Sequence, residues 1–294
     1  MKKYLAVLTF LYVCDLLAVI GLNGKFDWNG INVKTLCPAV KYAKIERTEP
    51  RMLKIAVLKV DLTDPALQFQ MTPRSAAWGK PMPGFPKLTI RTDRKTCRKF
   101  MEEMVSRGNN VVACVNASPW TPWRMPWNHP HADRLGLLID NGVPVSPPLR
   151  KRAFFYIGKD NSYGFGVAEP DMDISPYKHA ISGFAHVLKD GKVLKHSNKG
   201  LAPRTGYGLS ADRKTMYIAV VDGRQPGFSM GTSREETGEL LLWLGADEGL
   251  NMDGGGSTTL LIRDGNGKIT KLNHYINDLE RAVGGAICII YRKN

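Results

Sequence analysis

A chain of 294 residues that is 43% hydrophobic and 23% charged has an ordinary globular composition, long enough for one large domain or two small ones. Its formal charge of +14 favours anionic partners such as phosphates, acidic glycans or an anionic membrane surface. Nucleic acid is set aside, because the basic residues are scattered and the densest runs, 91–99 and 150–152, carry no nucleic-acid-binding motif.

Met1-Lys2-Lys3 followed by a largely apolar run over 4–22 has the charged start and apolar stretch of a secretory signal, so export is expected, to the periplasm or the cell exterior. Asp15 argues against a membrane span, since a carboxylate near the bilayer centre costs about 2.5 kcal/mol or more. Cleavage is expected near 21–24; Leu11-Tyr12-Val13-Cys14 has the look of a lipoprotein box, with Val13 bulky for its place, so lipid anchoring through Cys14 is the second reading. Residues 23–50 have no strong periodicity and read as an N-terminal lead, an extended arm ahead of one catalytic domain over 51–294.

Short β-rich runs then dominate, at 54–62, 67–71, 110–115, 135–139, 153–157, 217–221, 258–262 and 282–291, with turns such as Asn141-Gly142, Asp190-Gly191 and Asp264-Gly265. A helix is predicted over 93–107, with Phe100, Met104 and Val105 on one side and Gly108 ending it. Ser233-Arg234-Glu235-Glu236 is a capping box that opens a second helix, whose apolar face is Leu240, Leu241 and Leu244 and whose stop is Gly245. The expected fold is α+β, a mixed, strand-rich sheet architecture with a few helices. Beyond the leader, Cys37, Cys97, Cys114 and Cys288 are an even set that fits disulfides in an oxidising compartment, although Cys114 and Cys288 lie in apolar strands and read better as buried thiols.

Two segments share one build, an apolar strand that ends in Asp-Gly. One is Tyr217 through Val221 followed by Asp222-Gly223-Arg224; the other ends in Asn251-Met252-Asp253-Gly254-Gly255-Gly256-Ser257-Thr258. Three successive glycines weaken a strand or helix, so they belong where something must approach the backbone closely. Taken singly, an Asp before Gly is more often a turn residue bonded to its own backbone. Pro-rich residues 118–131 carry Trp120, Trp123 and Trp127 directly after Asn116, and aromatic faces of this kind stack on sugar rings or anchor a loop.

Taken together, five segments resemble the phosphodiester glycosidase family in order and spacing: Ala202-Pro203-Arg204-Thr205-Gly206, Asp222-Gly223-Arg224-Gln225-Pro226-Gly227, Leu244-Gly245-Ala246, Asn251 to Thr259, and Glu280-Arg281. That family includes the lysosomal uncovering enzyme and many exported bacterial proteins. Asn116-Ala117-Ser118 stands where the family usually has Asn-Gly-Gly and an aromatic pair, a departure that touches substrate preference. The resemblance implies a hydrolase that cleaves the glycosidic bond of an N-acetylglucosamine-like sugar-1-phosphodiester, on a cell-envelope or host glycan.

For such a substrate, Arg204 and Arg224 suit the phosphate, because a guanidinium donates two parallel hydrogen bonds. The amides of Gly254, Gly255, Gly256 and Ser257 and the hydroxyls of Ser257 and Thr258 suit the same oxygens. Asp253 ranks first as the catalytic carboxylate, followed by Asp222 and Glu280, and a weakly basic phosphate leaving group lessens the need for a second acid. Asn116, Trp120 and Trp123 are the expected sugar contacts. No cofactor is required; there is no Cys-x-x-Cys pair or dinucleotide fingerprint, and a divalent cation held by Asp222, Asp253 and Asn251 is allowed but not needed. The alternatives are a glycan-binding protein without turnover and a phosphodiesterase that breaks the P–O bond.

Overall fold

Alternation along the strands decides the architecture. In the computed structural model, which describes residues 22, 24–123 and 129–292, Ile55 and Val57 point to one side of their sheet while Ala56, Leu58 and Val60 point to the other. Their neighbour repeats the pattern, with Ala219 and Val221 on the first side and Met216, Ile218 and Val220 on the second. Both faces are apolar because both are covered. These strands, Leu53–Asp61 and Thr215–Val221, are the middle of an eight-stranded sheet in the order Val33–Cys37, Val40–Arg47, Leu53–Asp61, Thr215–Val221, Arg204–Leu209, Glu248–Asn251, Ala185–Lys189, Lys192–Val193.

Helix α1, Cys97–Ser106, buries Phe100, Met101 and Met104 against a five-stranded sheet built from Ile269–Lys271, Leu260–Arg263, Val111–Asn116, Ala286–Tyr291 and Leu67–Met71. Helix α2, Arg234–Leu244, covers the first face of the large sheet with Leu240, Leu241 and Leu244. A second five-stranded sheet, Val143–Ser146, Leu138–Asp140, Tyr177–Ser182, Ala153–Gly158 and Tyr163–Val167, adds Ala153, Phe155, Ile157 and Ile181 to the central core. Every pairing between these strands is antiparallel, so the sheets are not mixed in direction. Among the described residues there are two α-helices, and the molecule is mostly β.

The capping box forms as written in the sequence: Ser233 Oγ accepts from the Glu236 amide, the Glu236 carboxylate accepts from the Ser233 amide, and Gly245 closes the helix at φ 112°. Helix α1 starts later than its periodicity suggests. Thr96 is its N-cap, and Thr92–Asp93 instead pairs with His131–Ala132.

The expected N-terminal arm is not an arm. Val33–Cys37 and Val40–Arg47 form a hairpin that pairs residue for residue with Leu53–Asp61, while Trp28 donates its indole N–H to the Leu244 carbonyl at the end of α2 (2.9 Å). Polar side chains on the outer face of this edge hairpin hide its alternation. The four described cysteines are free thiols, with Cys97, Cys114 and Cys288 buried together in the core, and the disulfide expectation does not hold for them. Of the predicted leader over 1–22, residues 1–21, Cys14 among them, lie outside the described residues, while Leu22 is buried in the core on the α2 side of the large sheet.

Candidate active site

Strand Glu248–Asn251 is held on both sides, by Arg204–Leu209 and by Ala185–Lys189, and the chain then peels away from the sheet. Three backbone bonds fix that departure: Met252 N–H to Thr205 O (2.8 Å), Asp253 N–H to Ala117 O (2.8 Å) and Gly255 N–H to Pro203 O (2.9 Å). A β-carbon on Gly254 would stand 2.7 Å from the Pro203 carbonyl oxygen, and Gly255 turns at φ 61° directly under Arg224. Glycine is needed at both positions, by contact at the first and by conformation at the second.

Asn116 secures the turn from below. It is fully buried; its Nδ2 donates to Asp253 O (2.8 Å), and its Oδ1 accepts from the Thr259 amide (3.0 Å) and the Thr205 hydroxyl (2.8 Å). Every hydrogen-bonding group of its amide oxygen and one of its amide protons are thus spent on the protein. Asn116 holds the backbone of Asp253 and is not among the residues that line the cavity, so the structure does not place it where a sugar contact was expected.

Above the turn lies a cavity of about 300 Å³. Its floor is Asp253 and Gly254, Gly255, Gly256 and Ser257; Arg204, Arg224, Arg234 and Arg281 surround it, and Trp120, Trp123 and Phe184 supply aromatic walls. Asp253 is 4% exposed and is the one carboxylate among the described lining residues. Burial pushes its carboxyl up to about 6, while hydrogen bonds from Ser257 and the Gly254 amide and the charges of Arg281 and Arg152 pull the other way.

Each arginine is placed by a different element. Arg204 begins its strand and donates Nε to Thr232 O and Nη2 to Gly200 O, both at 3.0 Å. Burial, then the neighbouring Arg234 and Arg224, bring it down to about 10. Arg224 sits at φ 58° in the turn after Asp222, a conformation that L-residues seldom adopt, and it is exposed to solvent on the cavity's rim. Arg234 is the first residue of α2, and its buried Nε has no hydrogen-bond partner among the described residues. Cations crowded in this way, with one carboxylate below them, favour an anionic ligand.

The aromatic residues divide. Trp120 is 3% exposed, with the Arg94 guanidinium 4.0 Å from its ring centre, and is mainly an anchor for the loop that presents one edge to the cavity. Trp123 is 53% exposed at the mouth, free to cover a ligand, and Trp127 lies outside the described residues.

Asp222 and Glu280 are elsewhere. The Asp222 carboxylate faces a separate cavity of about 200 Å³, accepting from the His274 amide (2.8 Å) and from Asn273 Nδ2 (3.4 Å). The strand ends at Val221; Asp222, just past it, turns its carboxylate to His274 and Asn273, whereas Arg224, at φ 58° in the following turn, lines the arginine cavity. Glu280 Oε1 accepts the Arg98 amide (2.9 Å) at the start of α1, where a carboxylate satisfies an open N–H of the helix. Thr258 is buried and does not line the cavity, and its carbonyl oxygen accepts from Asn273 Nδ2 (3.0 Å). Asp222 and Asp253 line different cavities, so with Asn251 they are not a shared cation site; among the described residues no three His, Cys, Asp or Glu side chains cluster as metal ligands.

Arg234, Arg281 and Phe184 were not singled out as site residues by the sequence reasoning. Arg234 had a signal: a cation in the first turn of a helix opposes the helix dipole, so the capping box was paired with a residue that costs helix stability. Arg281 follows the matched Glu280. Phe184 had no signal beyond its place after Gly183; its ring lies between Arg152 (5.2 Å) and Arg234 (5.6 Å).

No curated protein matches the chain in sequence. In structure it is similar to the catalytic domain of zebrafish N-acetylglucosamine-1-phosphodiester alpha-N-acetylglucosaminidase, auto-inhibited by its pro-peptide (TM-score 0.60, 17% identity, 92% of this chain and 87% of that one). A protein of Synechocystis (TM-score 0.58, 10% identity, 90% and 64%) and one of Burkholderia pseudomallei described as exported (TM-score 0.53, 13% identity, 81% and 74%) share the fold. The family model for phosphodiester glycosidases matches residues 109–290, which spans Asn116, Arg204, Arg224, the Asp253 turn and Arg281, and the chain belongs to the phosphodiester glycosidase family.

Proposed function

We propose that the protein is an exported hydrolase that releases the sugar from a sugar-1-phosphodiester in the arginine-ringed cavity. The observation that carries this reading is a single buried carboxylate, Asp253, on a glycine turn with four guanidinium groups around the space above it. The family and the zebrafish structure support it, and N-acetylglucosamine-1-phosphodiester is the first substrate to try. Export is supported by the charged and apolar start of the chain and by the Burkholderia relative.

The phosphodiester enters with one negative charge. Arg204, Arg224 and Arg234 hold its non-bridging oxygens and Trp123 covers the sugar, while the amides of Gly254, Gly255 and Ser257 are spent on Asp253, Pro203 O and Gly254 O and are not the phosphate donors the sequence suggested. The bond from the anomeric carbon to the phosphate oxygen breaks, and that oxygen keeps the electron pair as a phosphate monoester. The arginines stabilise the added charge most at this moment, which is what lowers the barrier. A phosphate oxygen is a weak base and leaves without a proton donor, so one carboxylate suffices. Asp253 faces the developing positive charge on the sugar and either attacks the anomeric carbon or takes the proton of the attacking water; the water's oxygen ends on the sugar.

Hydrolysis in heavy-oxygen water tests the bond that breaks. Label in the released sugar is expected. Label in the phosphate identifies a phosphodiesterase and contradicts the reading. Because Asp253 acts as the carboxylate, kcat/KM should rise as pH passes through about 6 and then level off; a fall over the same range would give it the opposite role, that of an acid.

A further inference from the structure

We propose that the cavity behind Asp222 is a second ligand site, separate from the catalytic cavity, and that it takes an anionic sugar unit. Its geometry is that of a recognition site and not of a packing defect. The Asp222 side chain is 4% exposed and lies at the bottom of an opening of about 200 Å³. One carboxylate oxygen accepts from the His274 amide and Asn273, while the other has no hydrogen bond among the described residues, and Asp222 lines the opening. That oxygen is open to the cavity and can accept from a ligand donor, and the donors of a sugar are its hydroxyls.

The walls narrow the ligand further. Lys44, Lys54 and Lys271 line the same opening against Glu46 and Asp222, so the lining carries one cation in excess and an anionic group on the ligand is drawn to the lysines. Lys54 pairs with Glu46, and Lys271 lies over the Tyr275 ring (4.2 Å) and 3.9 Å from the exposed Asp278, so Lys44 is the lysine best placed to meet a ligand charge, with Lys271 able to exchange its loose pair for one. Phe228 gives a flat apolar wall, with Lys54 above it (5.6 Å) and His274 beside it (5.1 Å), suited to the apolar face of a sugar ring. Hydroxyls toward Asp222, a ring face on Phe228 and a carboxylate or phosphate toward the lysines describe one saccharide unit. Asn273 takes no part in recognition: its oxygen accepts the Leu260 amide (2.8 Å), and its nitrogen donates to Thr258 O and Asp222. The site does not depend on the catalytic reading, since none of its residues lines the arginine cavity.

Calorimetric titration of the full chain with glucuronate, glucose 6-phosphate and glucose tests this directly. At least one of the two anionic sugars should bind, and whichever binds tells a carboxylate from a phosphate source; glucose should bind at least about tenfold more weakly. Lys44→Ala with Lys271→Ala, both at the rim, should weaken the anionic sugar by about tenfold, as expected for losing two charge-assisted contacts. Arg204→Ala with Arg224→Ala should leave this affinity within about twofold. No binding by either anion, equal binding by glucose, or a loss seen only in the arginine variant would overturn the proposal. None of these readouts uses turnover, so the catalytic reading can fail while this one stands.

Discussion

Asp253 and Asp222 make an instructive pair. Both follow an apolar strand and precede glycine, both are 4% exposed, and burial raises both to about 6. Their surroundings differ in kind. Asp253 stands beneath guanidinium groups in a cavity floored by backbone, whereas Asp222 is held by the 273–274 backbone and side chain and looks toward lysines and a phenyl ring. A motif therefore fixes that a carboxylate is buried at a turn, but the direction it faces depends on which strand passes on either side. Two buried amides, Asn116 and Asn273, hold the 253–260 segment, the first at Asp253 and Thr259 and the second at Thr258 and Leu260.

The contrast can be broken at the arginines first. Arg224→Ala should lower kcat/KM for sugar release by about 100-fold, the size expected for one donor to transition-state charge, with the melting temperature unchanged because Arg224 is exposed. Retained activity would place the phosphate elsewhere. Next come the two asparagines. Asn116→Ala strands the Thr259 amide, the Thr205 hydroxyl and the Asp253 carbonyl, and should destabilise the fold by about 2–4 kcal/mol in denaturant titration. Asn273→Ala should cost a similar amount, but Asn116→Ala should also lower kcat, since it alone holds the catalytic carboxylate's own backbone. Equal kcat in the two variants would argue against that distinction.

The smallest effect concerns a carboxylate in neither cavity. Glu239 on α2 is pushed up to about 7 by burial, then by Glu236 and Glu235. A carboxyl whose folded value lies above its unfolded one stabilises the fold while protonated, and that contribution is lost as pH rises through the folded value. With Asp222 and Asp253 at about 6 as well, the melting temperature should fall between pH 5 and pH 8. Glu239→Gln should flatten the upper part of that slope and raise the melting temperature at pH 8 by a few degrees, on the order of the shift that 1 kcal/mol gives. A steeper slope in the variant would contradict the assignment.

Much of the fold was legible because strands buried on one or both faces show their period, and because the capping box and Gly245 mark both ends of α2. The hairpin at 33–47 was not, since its outer residues, such as Lys34, Lys41 and Lys44, interrupt any apolar run. At the site, the glycine turn could be read as a close approach before any coordinates, and four of the cavity's features, Asp253, the glycines, Arg204 and Arg224, meet there. Which way Asp222 and Glu280 face could not be read. Asp222 turns to the 273–274 segment, and Glu280 serves the amide of Arg98, 182 residues earlier in the chain. Both facts belong to packing between distant segments, on which local spacing is silent.

Release of sugar from N-acetylglucosamine-1-phosphodiester, measured side by side for Asp253→Asn and Asp222→Asn with folding verified by thermal melting, probes the division between the cavities most directly. Asp253→Asn should lose at least about a thousandfold in kcat, as for removal of an essential catalytic group, while Asp222→Asn should stay within about tenfold of the unaltered protein. Comparable losses in both, or full activity of Asp253→Asn, would contradict the account.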